Sequence, residues 1–125
     1  MIFTVPKADT YPLTITVAHA TLVNYPTGLA AFSKLWFYGK YSVQDADSAA
    51  LFKKDLTSGV SVLVAGSPTV DGSLQVILQP ADTTPATDAP ISIQCSLKGY
   101  DGTNWYSIEI DVVLNIRAQA TSKVS

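Results

Sequence analysis

KLWFYGKYSVQDADSAALFKKDLTSGVSVLV, residues 34–64, decides the fold. It reads as a strand, a short helical turn and a second strand. Leu35, Trp36, Phe37 and Tyr38 put large rings on both faces, which suits a central strand covered on both sides. From Lys34 to Val43, one face carries Leu35, Phe37, Gly39, Tyr41 and Val43, and the other carries Trp36, Tyr38 and Lys40. Gly39 marks either a bulge or a close approach to the backbone. Asp45 to Lys54 reads as the one helical punctuation of the chain. Asp45 or Asp47 accepts the free N–H groups of its first turn, and the lysines sit at the negative end of the dipole. Leu51 and Phe52 plug this turn onto the sandwich, Ser58-Gly59 breaks it, and Val60, Val62 and Val64 alternate as a strand. The stretch is therefore expected to bridge two sheets.

Other β-prone runs lie on either side. Ile2 to Val5 is a short piece ended by Pro6, and Leu13, Ile15 and Val17 alternate strictly with threonines. Ala20 to Tyr25 reads as a weaker strand or extended segment, and Asn24 to Gly28 as a turn cluster. Asp71-Gly72 is a turn dipeptide ahead of the strand Leu74 to Leu78. Gln79 to Pro90 is a loop with a turn at Pro80-Ala81-Asp82-Thr83. Ile91 to Leu97 is a strand, and Tyr100 to Asn104 is a hairpin connection. Trp105 to Ile116 reads as one long last strand with Ile108, Ile110, Val112, Leu114 and Ile116 facing the core. Six to eight such strands with turn signals between them predict an all-β, Ig-like β-sandwich with one short helical turn near residues 45–54. The expected organisation is an N-terminal arm or edge strand over 1–12, the sandwich over 13–117 and a polar tail over 118–125.

Composition narrows the function classes. The chain has 125 residues, eight basic and ten acidic side chains and a net charge of −2. The basic residues are scattered along the sequence, so no basic stripe points to nucleic acid. No apolar run reaches the roughly 20 residues of a membrane-crossing helix, and the N-terminus lacks the pattern of a signal peptide. Charged residues make up 14% of the chain, against about 25% in ordinary globular domains. Surface covered by another subunit explains that deficit, and so does a sandwich that uses Thr and Ser on its outside.

Candidate chemistry is sparse. Cys95 is the single cysteine and alternates with Ile93 and Leu97, so it reads as a small buried hydrophobe. The sole histidine, His19, has no nucleophile placed beside it by sequence. Asp45-x-Asp47, joined in space by Asp55, Asp71 or Asp82, is too small a set for calcium, and helix capping explains it better. Glu109 and Asp111 share the outer face of one strand, where a solvated surface accounts for them. No catalytic, cofactor-binding or metal-binding residue is assigned. Trp36, Tyr38, Tyr41, Tyr100, Trp105 and Tyr106 can form a sugar-stacking platform, with Tyr100, Trp105 and Tyr106 as its ligand-binding candidates. Core packing and a cross-strand pair at the hairpin account for the same rings and are the preferred reading.

Five pieces follow one another in a particular order. Leu35 to Tyr38 precedes Asp45 to Leu51, then Gly59-Val60-Ser61-Val62. Gly72 to Leu78 then runs into Pro80-Ala81-Asp82-Thr83, and Tyr100-Asp101-Gly102 precedes the last strand. This order resembles the N-terminal Ig-like domain of the tailed-phage baseplate upper-protein family, over about Leu13 to Ile116. The resemblance implies a non-enzymatic structural protein of a virion, placed at the baseplate, tail, neck or capsid surface. It implies a homo-oligomer that docks onto other virion proteins, with host surface glycan as a further partner and with no nucleic acid, membrane or cofactor. Members of that family often continue into coiled-coil or receptor-binding domains, whereas this sequence runs to Ser125, so a free-standing accessory protein is the expectation. A carbohydrate-binding or adhesion module using the exposed aromatics is the alternative.

Overall fold

The computed structural model describes residues 1–42, 46–84 and 91–117. Among the described residues nine strands form two sheets. They are β1 (Ile2–Pro6), β2 (Tyr11–Val17), β3 (Lys34–Lys40), β4 (Phe52–Asp55), β5 (Val60–Val64), β6 (Gly72–Leu78), β7 (Ile91–Tyr100), β8 (Trp105–Ile108) and β9 (Val113–Arg117). The large sheet has the order β1-β9-β7-β3-β4, with β8 also on β7, and the small sheet has the order β2-β6-β5. β1 runs parallel to β9, and every other pairing is antiparallel. Three strands on one side, with the β4 edge added to the other, is the strand arrangement of an Ig-like sandwich.

Period-two alternation builds the core. Leu13, Ile15 and Val17 of β2 and Leu74, Val76 and Leu78 of β6 are fully buried. They meet Leu35 and Phe37 of β3, Ile93, Cys95 and Leu97 of β7, and Leu114 and Ile116 of β9. Each such side chain contributes roughly 1.5–3 kcal/mol when buried. Val5 of β1 is also fully buried, and β1 lies at an edge of the large sheet, beside β9.

The last strand is not continuous. Leu97 faces Ile108 and Gln94 faces Val113, so residues 95–96 of β7 lie opposite residues 109–112. The two extra residues are one pleat period, so the alternation survives the interruption. Ile108, Val112, Leu114 and Ile116 all stay buried, while Ile110 is only half-buried. Cys95 N–H still reaches the Val112 carbonyl at 3.1 Å.

The 34–64 stretch does bridge the sheets, by a different route from the expected one. A single 3-10 turn, Asp47–Ala49, stands where a helical turn to Lys54 was expected. Phe52 to Asp55 is instead the strand β4, paired with β3. Phe52 enters the core against Gly39, where an added Cβ would lie 2.3 Å from its ring, so Gly39 marks a close approach and not a bulge. Asp45 lies outside the described residues, as does the tail 118–125. Three further helical pieces occur among the described residues: 3-10 turns at His19–Leu22 and Gly28–Ala31, and α1 (Pro80–Thr83). Ala20 to Tyr25 is thus not a strand. The turn His19–Leu22 carries Leu22 and the turn Gly28–Ala31 carries Leu29, both fully buried against the sandwich.

The turn motifs have structural work. Asp101 Oδ1 accepts the N–H groups of Thr103 and Asn104 at 2.8 Å each, and Gly102 takes a φ of 100°, which closes the β7–β8 hairpin. In the β5–β6 connection the tight turn is Ser67 to Val70, not Asp71-Gly72, and Gly72 is already in β6. Gln79 and Asp82 cap α1 reciprocally. Lys54 points inward from β4 and its Nζ meets Asp82 Oδ2 at 2.9 Å. Fully buried Thr83 accepts the Ala8 N–H at 2.7 Å, which pins the β1–β2 turn where Ala8 has a φ of 63°.

Candidate binding face of the large sheet

The outer face of the large sheet is built by the side chains that the core does not take. On β3 these are Lys34, Trp36, Tyr38 and Lys40. Register then fixes their neighbours. Lys98 of β7 lies opposite Trp36, Tyr100 opposite Lys34, and Ser96 opposite Tyr38. Lys53 of β4 lies opposite Tyr38, and Trp105 of β8 lies opposite Tyr100.

These side chains form one aromatic and cationic cluster. Trp36 and Trp105 have ring centroids 4.1 Å apart, reached across β7. Tyr100 lies 5.0 Å from Trp105, and Tyr38 meets Trp36 edge-on at 6.2 Å. Lys53 Nζ sits 3.6 Å above the Trp36 ring, from the β4 side. Lys34 Nζ is 5.3 Å from the Tyr100 ring centre, while Lys40 and Lys98 approach Tyr38 at 5.2 and 5.9 Å. Tyr38 is nearly buried on an outward face because neighbouring rings and lysine stems cover it. Trp105 keeps 41% of its surface exposed.

A cleft of about 270 Å³ opens beside Trp36, lined by Ser33, Lys34, Lys53, Asp55, Leu56 and Thr57. Asp55 is the carboxylate of this cleft. Its Oδ1 accepts the Thr57 N–H at 2.9 Å, the Thr57 hydroxyl at 2.6 Å and the Ser58 hydroxyl at 3.0 Å. These hydrogen bonds, the Thr57 hydroxyl first, hold its carboxyl below the ordinary range. Its oxygen is engaged by its own turn. Among the described residues no ion pair within 4.0 Å engages Lys34 or Lys53, although the Lys53 charge also helps to lower the Asp55 pKa.

Of the three aromatic candidates, Tyr100 and Trp105 come together here and Tyr106 does not. Tyr106 faces the other side of the sheet, 5.8 Å from Tyr25 and 6.4 Å from Phe32. There burial, with Tyr106 and Asp101 beside it, pushes the Tyr25 hydroxyl pKa up. Tyr41 is exposed past the end of β3 and has no ring contact among the described residues. Trp36 is the ring that completes the cluster. The lysines escape sequence reasoning because they lie far apart along the chain. The signal was the outward parity of Lys34 and Lys40 with Trp36 on one strand.

Among the described residues Asp55, Asp71 and Asp82 do not gather. Asp55 serves its own turn, Asp82 pairs with Lys54, and Asp71 Oδ1 accepts the His19 N–H at 2.9 Å and lies 2.6 Å from His19 Nδ1. The backbone N–H of His19, then its ring, lowers the Asp71 pKa. Among the described residues no group of three or more His, Cys, Asp or Glu side chains has a metal-binding arrangement. Cys95 is buried, and burial pushes its thiol up to about 12. No described helix is long and apolar enough to cross a membrane.

A second surface lies on the small sheet. β5 is an edge strand on which Leu63 and Val64 are about half exposed, with Val70 beside them at 54%. The register shifts between Val62 and Val64, so Leu63 is the extra residue of a bulge. The bulge breaks the alternation and leaves successive apolar side chains in solvent.

Compared with models of protein families and with curated protein sequences, the chain matches none.

Proposed function

We propose that the chain is a non-enzymatic structural protein of a tailed-phage virion, which acts by self-association and by docking onto other virion proteins. The observation that carries this reading is the apolar β5 edge. Leu63, Val64 and Val70 keep about half of their surface in water, and an apposed subunit would cover it. The Leu63 bulge blunts backbone pairing, so the contact is one of side-chain packing rather than strand addition. The ordered turn motifs add support from resemblance. Light scattering across a concentration series tests self-association, with Leu63→Lys as the variant. A defined oligomer that Leu63→Lys weakens is expected. A monomer at every concentration overturns self-association. Co-sedimentation of the tagged chain with particles tests docking, and a chain that stays in the supernatant overturns that part.

A second reading is favoured by a separate observation, the exposure of Trp105 beside Tyr100 and Trp36. On that reading the chain is a carbohydrate-binding or adhesion module. A glycan screen tests it, with Trp105→Ala as control. No glycan-dependent signal, or one that the substitution leaves unchanged, removes it.

A further inference from the structure

We infer that the outer face of the large sheet, at the cleft between Lys34 and Lys53, binds a carboxylate-bearing saccharide. This rests on the second reading above and names its ligand class. The first ground is charge. Lys34 and Lys53 line a cleft whose one carboxylate is Asp55, in a chain whose net charge is −2. Lys34 and Lys53 both line the cleft, on either side of Trp36. Each is held against a ring, a contact that contributes only about 0.5–1 kcal/mol at an exposed site. The rings thus position two ammonium groups and leave them able to take a stronger anionic partner.

The second ground is shape. Trp36 has Lys53 on its β4 side and Trp105 on its β8 side, so its ring is enclosed. The cleft therefore offers a base no open ring face to stack on, and its two lysines are a short track for a phosphate backbone. The cleft is slightly smaller than the roughly 300 Å³ at which drug-sized sites begin, which suits one sugar unit of a chain. A pyranose offers three matching features. Its carboxylate meets Lys34 and Lys53, its hydroxyls meet the Ser33 and Thr57 side chains, and its C–H face meets the exposed Leu56 side chain.

Calorimetry on the full chain tests this with four probes: polygalacturonate, alginate, methyl-esterified polygalacturonate and single-stranded oligothymidylate. Binding to at least one of the free acids is expected. The ester should bind at least about tenfold more weakly than polygalacturonate. Lys34→Gln and Lys53→Gln should each weaken binding about tenfold, the loss of one charge-assisted contact, and added salt should weaken it further. Both lysines are exposed, and unchanged unfolding curves would confirm that the variants fold. Equal binding of acid and ester overturns the acidic class but keeps the carbohydrate reading. Equal or tighter binding of oligothymidylate overturns the saccharide in favour of any polyanion. No binding of either acid overturns the inference. A signal on neutral glycans, abolished by Trp105→Ala, would then show that the broader reading survives.

Discussion

Replacing Asp82 by asparagine strands a charge inside the sandwich. Lys54 comes from β4 with its side chain 9% exposed, and its Nζ lies 2.9 Å from Asp82 Oδ2, on a side chain 16% exposed. The same oxygen accepts the Gln79 N–H at 2.7 Å, so one carboxylate both closes α1 and neutralises the lysine. The pair joins the edge of the large sheet to the end of β6 in the small one. At that distance, with an effective dielectric of about 20, the attraction is roughly 6 kcal/mol. Desolvating two ions offsets most of it, at several kcal/mol each. The intact pair therefore adds little over an apolar pair of the same shape, but half of it is costly. The amide oxygen introduced by Asp82→Asn can still accept the Gln79 N–H, so the change isolates the charge. This substitution should cost about 3–5 kcal/mol, toward the lower end because Asp82 keeps some water. A chain of 125 residues is expected to hold roughly 6–19 kcal/mol in all. Urea unfolding followed by far-UV circular dichroism measures the difference. Lys54→Met added to Asp82→Asn should recover most of the loss. A single variant within about 1 kcal/mol of the parent, or a double variant no better than the single, would refute this account.

Other expectations are more local. Thr83→Val removes the buried acceptor of the Ala8 N–H and should cost about 1–3 kcal/mol in the same assay. Gly28→Ala puts a Cβ 2.2 Å from the Ala65 carbonyl oxygen at a φ of 60°, against backbone that cannot swing aside, so loss of soluble folded protein is expected on expression. Cys95, its thiol pushed up to about 12 by burial, should resist iodoacetamide in the native chain and react once unfolded. Because the unfolded thiol ionises near about 8.5, this group's share of stability should fall as pH rises from there toward 12. Asp55 works in the opposite direction. Its folded pKa is lowered, so its contribution is present above the ordinary carboxylate value of about 3.9 and is lost as pH falls through the folded one. Thr57→Val should flatten that acid limb of stability in urea titrations.

Strands were legible where alternation was strict and long. Leu13, Ile15 and Val17, then Leu74, Val76 and Leu78, declare a buried face without help from the rest of the chain. β4 was not legible. Phe-Lys-Lys-Asp reads as the basic end of a helix, and only its pairing with β3 makes it extended. The inward lysine could not be foreseen either, because its partner is 28 positions away on α1. The short 3-10 turns at 19–22 and 28–31 span too few residues to show a period. The interruption at 109–112 hid behind its own parity, since two extra residues leave the apolar alternation intact.

The candidate face was half legible for a related reason. Trp105 and Tyr100 flank an evident hairpin and are direct cross-strand partners, so sequence could bring them together. The lysines could not be grouped without register. Lys34 and Lys40 share a face of β3 by parity, but Lys53 and Lys98 join them only once β4 and β7 are known to flank β3. A charge distribution that looks scattered along the chain is thereby concentrated on one face, which net charge alone conceals. The apolar edge on β5 belongs to the other sheet. On the proposed reading the two surfaces can therefore act together. A subunit packed against β5 leaves the outer face of the large sheet open to a ligand, and an array of subunits would present that face in many copies. Weak binding of one sugar unit at each cleft then becomes strong attachment of the assembly, because every further contact forms at high effective concentration.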